Sequence, residues 1–258
     1  WRAAAAADVA LAERVEAQLA EPGSLRLIEA IFGNSPYLTH LGEREPKLLA
    51  GLVEAGPEPA VAALWQDLAA IRRSAAAGED PSRPLRLAKR RLALVTAVAD
   101  IAGAWSLAEV TAALSGFAEQ ALSAACAFLL TELARQLDVR LKDPEAPETG
   151  SGLIVLGMGK LGAGELNYSS DIDLIIFYDP ECWPQDCRSD LQNRFVRLAR
   201  GLVRIMAQRT ADGYVFRTDL RLRPDPGSTP PAMSVLAAEI YYETLGQNWE
   251  RAAMIKAR

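Results

Sequence analysis

The chain has 258 residues, half of them hydrophobic and 24% charged, with a formal net charge of -5. This is the balance of a folded globular protein with a sizeable core, and it excludes a disordered or collagen-like chain. The acidic excess argues against nucleic acid as a partner. Three cysteines, an odd count, make no disulfide framework, so free, partly buried thiols and a cytoplasmic location are expected. Cys182 and Cys187, with His40 as the sole histidine, lack the partners of a zinc site.

Residues 1–141 read as helices throughout. Leu11, Val15 and Leu19 recur at helical spacing, Glu21-Pro-Gly interrupts them, and Ser24 is expected to cap the next helix. Pro36, Pro46, Pro57 and Pro59 punctuate short helices. A strong helix is predicted from Leu85 to Asp100, with Arg86, Lys89, Arg90 and Arg91 as a solvated basic face. Leu114 to Val139 reads as a long amphipathic helix. The apolar stretch from Leu92 to Leu107 is broken by Thr96, Asp100 and Ser106, so no membrane span is expected. Ala3 to Ala7 lacks the core and cleavage pattern of a signal peptide. Without an initiating Met, and helical to its last residues, the chain reads as a piece of a longer protein.

The texture changes at residue 142. Lys142 to Gly152 has the Pro- and Gly-rich composition of a linker. Leu153-Ile-Val-Leu is predicted as a buried strand, followed by a glycine-rich turn and a second strand over Asp171–Tyr178. A helix from Ser189 to Gln208 puts Phe195, Leu198, Leu202 and Ile205 on one face, and Tyr214–Leu222 is a third strand. The expected architecture is α+β: a helical domain over 1–141, a linker over 142–152, and a small mixed-sheet domain over 153–258 that continues beyond this sequence.

The chemistry concentrates in the second part. Gly157-Met-Gly-Lys-Leu-Gly-Ala-Gly turns tightly enough for its backbone N–H groups to cradle a phosphate, with Lys160 adding a point charge. The alternative is a mere tight turn. Asp171 and Asp173, two apart on a strand, share one face, while Ile172, Leu174 and Ile176 fill the other. Adjacent carboxylates repel unless a cation lies between them, and hard oxygen donors of this kind suit Mg²⁺. On the third strand, alternation puts Arg217, Asp219, Arg221 and Arg223 on one face. Asp219 would complete a trio able to hold two metal ions, with guanidinium forks ready for phosphate oxygens.

A glycine turn, then Asp-x-Asp, then a single Asp on a later strand resembles the nucleotidyltransferase superfamily typified by DNA polymerase beta. Longer phrases are more specific. Gly157-Met-Gly-Lys-Leu-Gly, Glu165-Leu-Asn-Tyr-Ser-Ser-Asp-Ile-Asp-Leu-Ile, Asp219-Leu-Arg-Leu-Arg-Pro, Trp249-Glu-Arg-Ala-Ala-Met-Ile-Lys-Ala-Arg and, in the helical part, Phe32-Gly-Asn-Ser-Pro-Tyr-Leu together resemble the glutamine synthetase adenylyltransferase/adenylyl-removing enzyme family. Members carry two similar halves, and the wording here is closer to the N-terminal one. The sequence departs from the family pattern at Ala163-Gly164 and at Asp225-Pro-Gly-Ser-Thr-Pro-Pro.

That resemblance implies removal of AMP from a tyrosine of adenylylated glutamine synthetase by phosphorolysis, with phosphate consumed and ADP released. It implies Mg²⁺ on Asp171, Asp173 and Asp219. Gly157, Gly159, Lys160 and Ser170 would contact phosphate, Arg221 and Arg223 the attacking phosphate or the AMP group, and Glu250 and Arg251 would close the site or form a helix-surface salt bridge. It also brings in the PII signalling protein and 2-oxoglutarate as regulators of the family. Two alternatives stand beside it: the ATP-using adenylylation reaction, and a non-catalytic docking module of the same fold.

Overall fold

The computed structural model describes residues 1–258. Eight helices come first: α1 (Arg2–Ala5), α2 (Val9–Ala20), α3 (Pro22–Asn34), α4 (Pro36–Arg44), α5 (Pro46–Ala55), α6 (Pro57–Ala76), α7 (Ser82–Ile101) and α8 (Leu107–Leu137). The second part holds β1 (Leu153–Gly157), α9 (Gly159–Gly162), β2 (Ile172–Tyr178), α10 (Leu191–Ala207), β3 (Thr218–Asp219), β4 (Met233–Ser234), α11 (Val235–Thr244) and α12 (Asn248–Ala253). Helices followed by a small mixed sheet make the α+β class expected from the sequence.

Proline opens α3, α4 and α5, where a missing N–H costs nothing and φ is already set. Glu21, not Ser24, caps α3: its carboxylate accepts the N–H groups of Gly23 and Ser24. The helix expected from Leu114 starts at Leu107, because Ser106 and Glu109 close a capping box (Ser106 N–H to Glu109 Oε2, 2.7 Å). By length and composition α8 is apolar enough to cross a membrane, yet 67% of its most apolar window is buried in the fold, as in a core helix.

The chain packs as two compact units, residues 1–68 with 87–114, and residues 69–86 with 115–258. In the first, Ile31, Leu41, Leu49, Leu94 and Val98 form the core. The basic cluster on α7 is not the solvated face expected. In this unit Arg90 donates to the half-buried Glu45 at 2.5 Å, and Arg91 pairs with Asp67 at 3.1 Å. In the second unit Arg86 is itself buried.

Within the second unit β2 is central. β1 pairs with it antiparallel from Leu153↔Tyr178 to Gly157↔Leu174; β3 and β4 pair parallel to its other edge, at Asp173↔Asp219 and Phe177↔Met233. Phe195 of α10 stacks on Tyr178 with ring centroids 4.5 Å apart, and Trp183 meets Phe195 edge-on. The segment 142–152 is tied down rather than loose. Glu148 accepts from Ser123 Oγ (2.5 Å) and Arg72 Nη2 (3.2 Å), and Trp183 Nε1 donates to the Ser151 carbonyl (2.7 Å). Compact packing accordingly divides the chain elsewhere than at residue 141, since the later turns of α8 share a unit with the sheet.

The third strand is two residues, not nine. Val215 and Phe216 N–H groups are taken by the Met206 carbonyl at the end of α10. Beyond Asp219 the chain turns at once, with the Arg221 N–H on Asp219 Oδ1. All three cysteines are free, Cys126 buried and Cys182 exposed.

Candidate active site

Period-two geometry sets the site at the start of β2. Ile172, Leu174 and Ile176 are fully buried on one face. On the other, Ile175 and Phe177 are covered by Met158, Met233 and Ala238, which leaves Asp171 and Asp173 at the open end. β3 then brings Asp219 to the register position beside Asp173.

The glycine turn lies against this end. Met158 N–H donates to the Asp173 carbonyl at 2.9 Å. Gly159 adopts φ +54°, a backbone conformation that favours glycine, and it lies in van der Waals reach of Asp173 Oδ2. Lys160 is exposed on α9. Ser170 Oγ accepts the Asn167 N–H at 3.2 Å and shapes the loop leading to Asp171.

Two of the three carboxylates are held by arginines. Arg217 Nε donates to Asp171 Oδ1 at 2.5 Å, and its Nη2 donates to the Ser169 carbonyl. Arg221 grips Asp219 through Nε (2.8 Å) and Nη2 (2.5 Å), which holds the Asp219 carboxyl below the usual carboxylate range. Asp173 is shifted the other way. Burial pushes its carboxyl up, and the negative charges of Asp219 and then Asp171 push it further. In this conformation no three His, Cys, Asp or Glu side chains gather closely enough to ligate one ion, because Asp171 and Asp219 are turned to their guanidiniums.

Glu250 and Arg251 stand apart from this cluster, and Arg223 reaches it only through its charge, which helps to lower the Asp219 carboxyl. The strand ends at Asp219, so alternation no longer governs Arg223; its guanidinium donates to the carbonyls of Leu220 (2.8 Å), Pro226 (2.7 Å) and Thr229 (3.2 Å). Glu250 is buried, accepts from Tyr241 Oη (2.9 Å) and Gln247 N–H (2.7 Å), and completes the capping box of α12. Arg251 donates to the Tyr242 carbonyl (2.8 Å). Both residues fasten α12 to α11 and form no salt bridge with each other. Arg217, expected from alternation to offer its guanidinium to phosphate beside Arg221 and Arg223, is instead engaged with Asp171 and the Ser169 carbonyl.

What the cluster can do is hold an anion near a charge-dense carboxylate group: N–H groups at a glycine turn, two guanidiniums, and three acidic side chains at one strand end. Comparison with known proteins agrees with that chemistry. Residues 25–258 match the family model described as glutamate-ammonia ligase adenylyltransferase. The chain is 47% identical over 254 residues to the bifunctional glutamine synthetase adenylyltransferase/adenylyl-removing enzyme of Bradyrhizobium diazoefficiens, covering 97% of this chain and 25% of that protein. It is 51% identical over 237 residues to the enzyme of the same name from Rhizobium meliloti (89% and 24% covered), and 49% over 258 residues to that of Agrobacterium fabrum (97% and 26%). The chain thus spans about a quarter of the length of these relatives. It belongs to the glutamate-ammonia ligase adenylyltransferase family.

Proposed function

We propose that this chain carries the deadenylylating site of such an enzyme, removing AMP from a tyrosine of adenylylated glutamine synthetase by phosphorolysis. The observation that carries the reading is the register Asp173↔Asp219 beside Asp171, facing a glycine turn. An oxygen of inorganic phosphate attacks the AMP phosphorus, the bond from phosphorus to the tyrosine oxygen breaks, and that oxygen takes up a proton. ADP and unmodified glutamine synthetase leave.

The three carboxylates fit Mg²⁺ in donor chemistry, and a dication would offset the Asp219 and Asp171 charges that, after burial, raise the Asp173 carboxyl. When bound, the metal neutralises phosphoryl oxygens in the transition state. Arg221, its side chain 84% exposed, is free to turn from Asp219 to the incoming phosphate, and Arg217 keeps Asp171 and the Ser169 carbonyl in place. The N–H groups of the glycine turn receive the AMP phosphate.

The test is the identity of the nucleotide product. The chain is incubated with adenylylated glutamine synthetase, phosphate and Mg²⁺, and we expect phosphate-dependent ADP. Incorporation of AMP from ATP into unmodified glutamine synthetase, without such ADP release, would sink the assignment.

A further inference from the structure

The free edge of β1 faces a cleft of about 430 Å³ walled on the far side by α8. Gly157 and Arg258 exchange backbone bonds in both directions there: Gly157 N–H to the Arg258 carbonyl at 2.8 Å and Arg258 N–H to the Gly157 carbonyl at 3.0 Å. That is one hydrogen-bonded rung of an antiparallel pair. It lies on the edge of β1 away from β2.

Alternation along β1 fixes what lies beyond the rung. Asp179 N–H donates to the Gly152 carbonyl and Met158 N–H to the Asp173 carbonyl, so the even-numbered positions bond to β2. The backbone of Gly157, Val155 and Leu153 therefore turns outward. Leu153 N–H is taken by Ser151 Oγ at 3.2 Å. The N–H and carbonyl of Val155 and the carbonyl of Leu153 open into the cleft, against Leu122 and Cys126 of α8. Unpaired backbone groups at strand spacing beside an apolar wall receive an extended polypeptide.

We propose that this cleft is filled by a strand formed by the residues that follow Arg258 in the full-length protein. It runs antiparallel to β1, its second residue opposite Val155 and its fourth opposite Leu153. Three observations favour that occupant. The chain already makes the first rung at Arg258. Relatives are about four times as long, so this chain covers only 25% of one of them. The Arg258 guanidinium pairs with Glu119 on the α8 wall, so a separate peptide or a second copy must displace a segment that is already seated. Gly157, Leu161 and Gly162 line the same cleft and form the glycine turn, so the strand would tie the rest of the protein to that turn through backbone bonds.

Hydrogen exchange at the Val155 amide tests this, in the full-length protein and in the 258-residue chain. We expect exchange at least about ten-fold slower in the full-length protein, as for an amide moved from open edge to paired strand. Equal rates in the two would overturn the proposal. Protection that grows with concentration in the 258-residue chain, together with a dimer's mass, would assign the edge to a second copy and also overturn it. Alkylation of Cys126 in a Cys182→Ser, Cys187→Ser background gives an independent reading, slower in the full-length protein if a strand covers the cleft and unchanged if none does.

Discussion

Asp173 and Asp219 lie opposite one another on parallel strands; the Arg221 guanidinium grips Asp219, while at Asp173 burial and two neighbouring negative charges outweigh its pull. The two carboxyls are consequently driven apart in acidity, Asp173 upward and Asp219 downward. Asp→Asn at 171 or 173 keeps size and hydrogen bonding while removing charge. We expect phosphorolysis to fall by at least about a hundredfold in either variant, the scale of losing a principal electrostatic stabiliser. Metal-free Asp173→Asn should unfold at an equal or higher urea concentration, because like-charge repulsion is relieved. Near-normal turnover in both variants would reject the carboxylate mechanism.

Arg221 and Arg223 should separate cleanly. Arg221→Ala removes an exposed guanidinium next to the carboxylates and should raise the KM for phosphate with little change in melting temperature. Arg223→Lys loses the fork that holds three carbonyls of the 220–229 loop. It should cost about 1–3 kcal/mol of stability and lower kcat, with the phosphate KM unchanged. A selective rise in phosphate KM for Arg223→Lys would restore the direct phosphate role expected from alternation.

The glycine turn is braced from behind by the end of the chain. A Cβ on Gly162 would overlap the carbonyls of Lys256 and Gly157, so Gly162→Ala should destabilise by about 1–3 kcal/mol, the cost of overpacking. Gly51, in the middle of α5, has open space where its Cβ would stand. Gly51→Ala should stabilise by about 0.5–1 kcal/mol. Urea denaturation of the two variants measures both, and a harmless Gly162→Ala would mean that the terminal turn does not press on α9.

Lys89 supplies a pH dependence. Burial pushes its ammonium down to about 7 from 10.5. A base depressed in the folded state binds its proton more weakly there than in the unfolded chain. The Lys89 contribution to stability must therefore rise as pH climbs from about 7 toward 10.5 and level off at its lowest below about 7. Lys89→Met should flatten that rise. Denaturation midpoints from pH 6 to 10 check the sign, and an identical slope in the variant would remove Lys89 as its source.

Much of the site could be read from residue order, because the relevant order is local. Alternation alone assigns Ile172, Leu174 and Ile176 to the core and Asp171 and Asp173 to the open side, and the spacing of Phe195, Leu198, Leu202 and Ile205 assigns α10. Arg223 misleads because alternation holds only while a strand lasts, and the Met206 carbonyl and the Asp219 carboxylate end this one early. β4 is illegible for a similar reason: two residues have no period, and Met233 becomes a strand only by lying along Phe177. The start of α8 was legible in Ser106-Leu-Ala-Glu109, a capping signal easily lost among alanines.

The bond between Arg217 and Asp171 joins positions 46 residues apart, whereas β1, the glycine turn and β2 form one continuous hairpin. Closing the longer loop has the greater entropic cost, so it falls late in assembly. A chain emerging from the ribosome would hold its glycine turn and first two carboxylates before the third arrives. Asp219 joins Asp173 only once α10 has docked and the chain beyond it has come alongside β2.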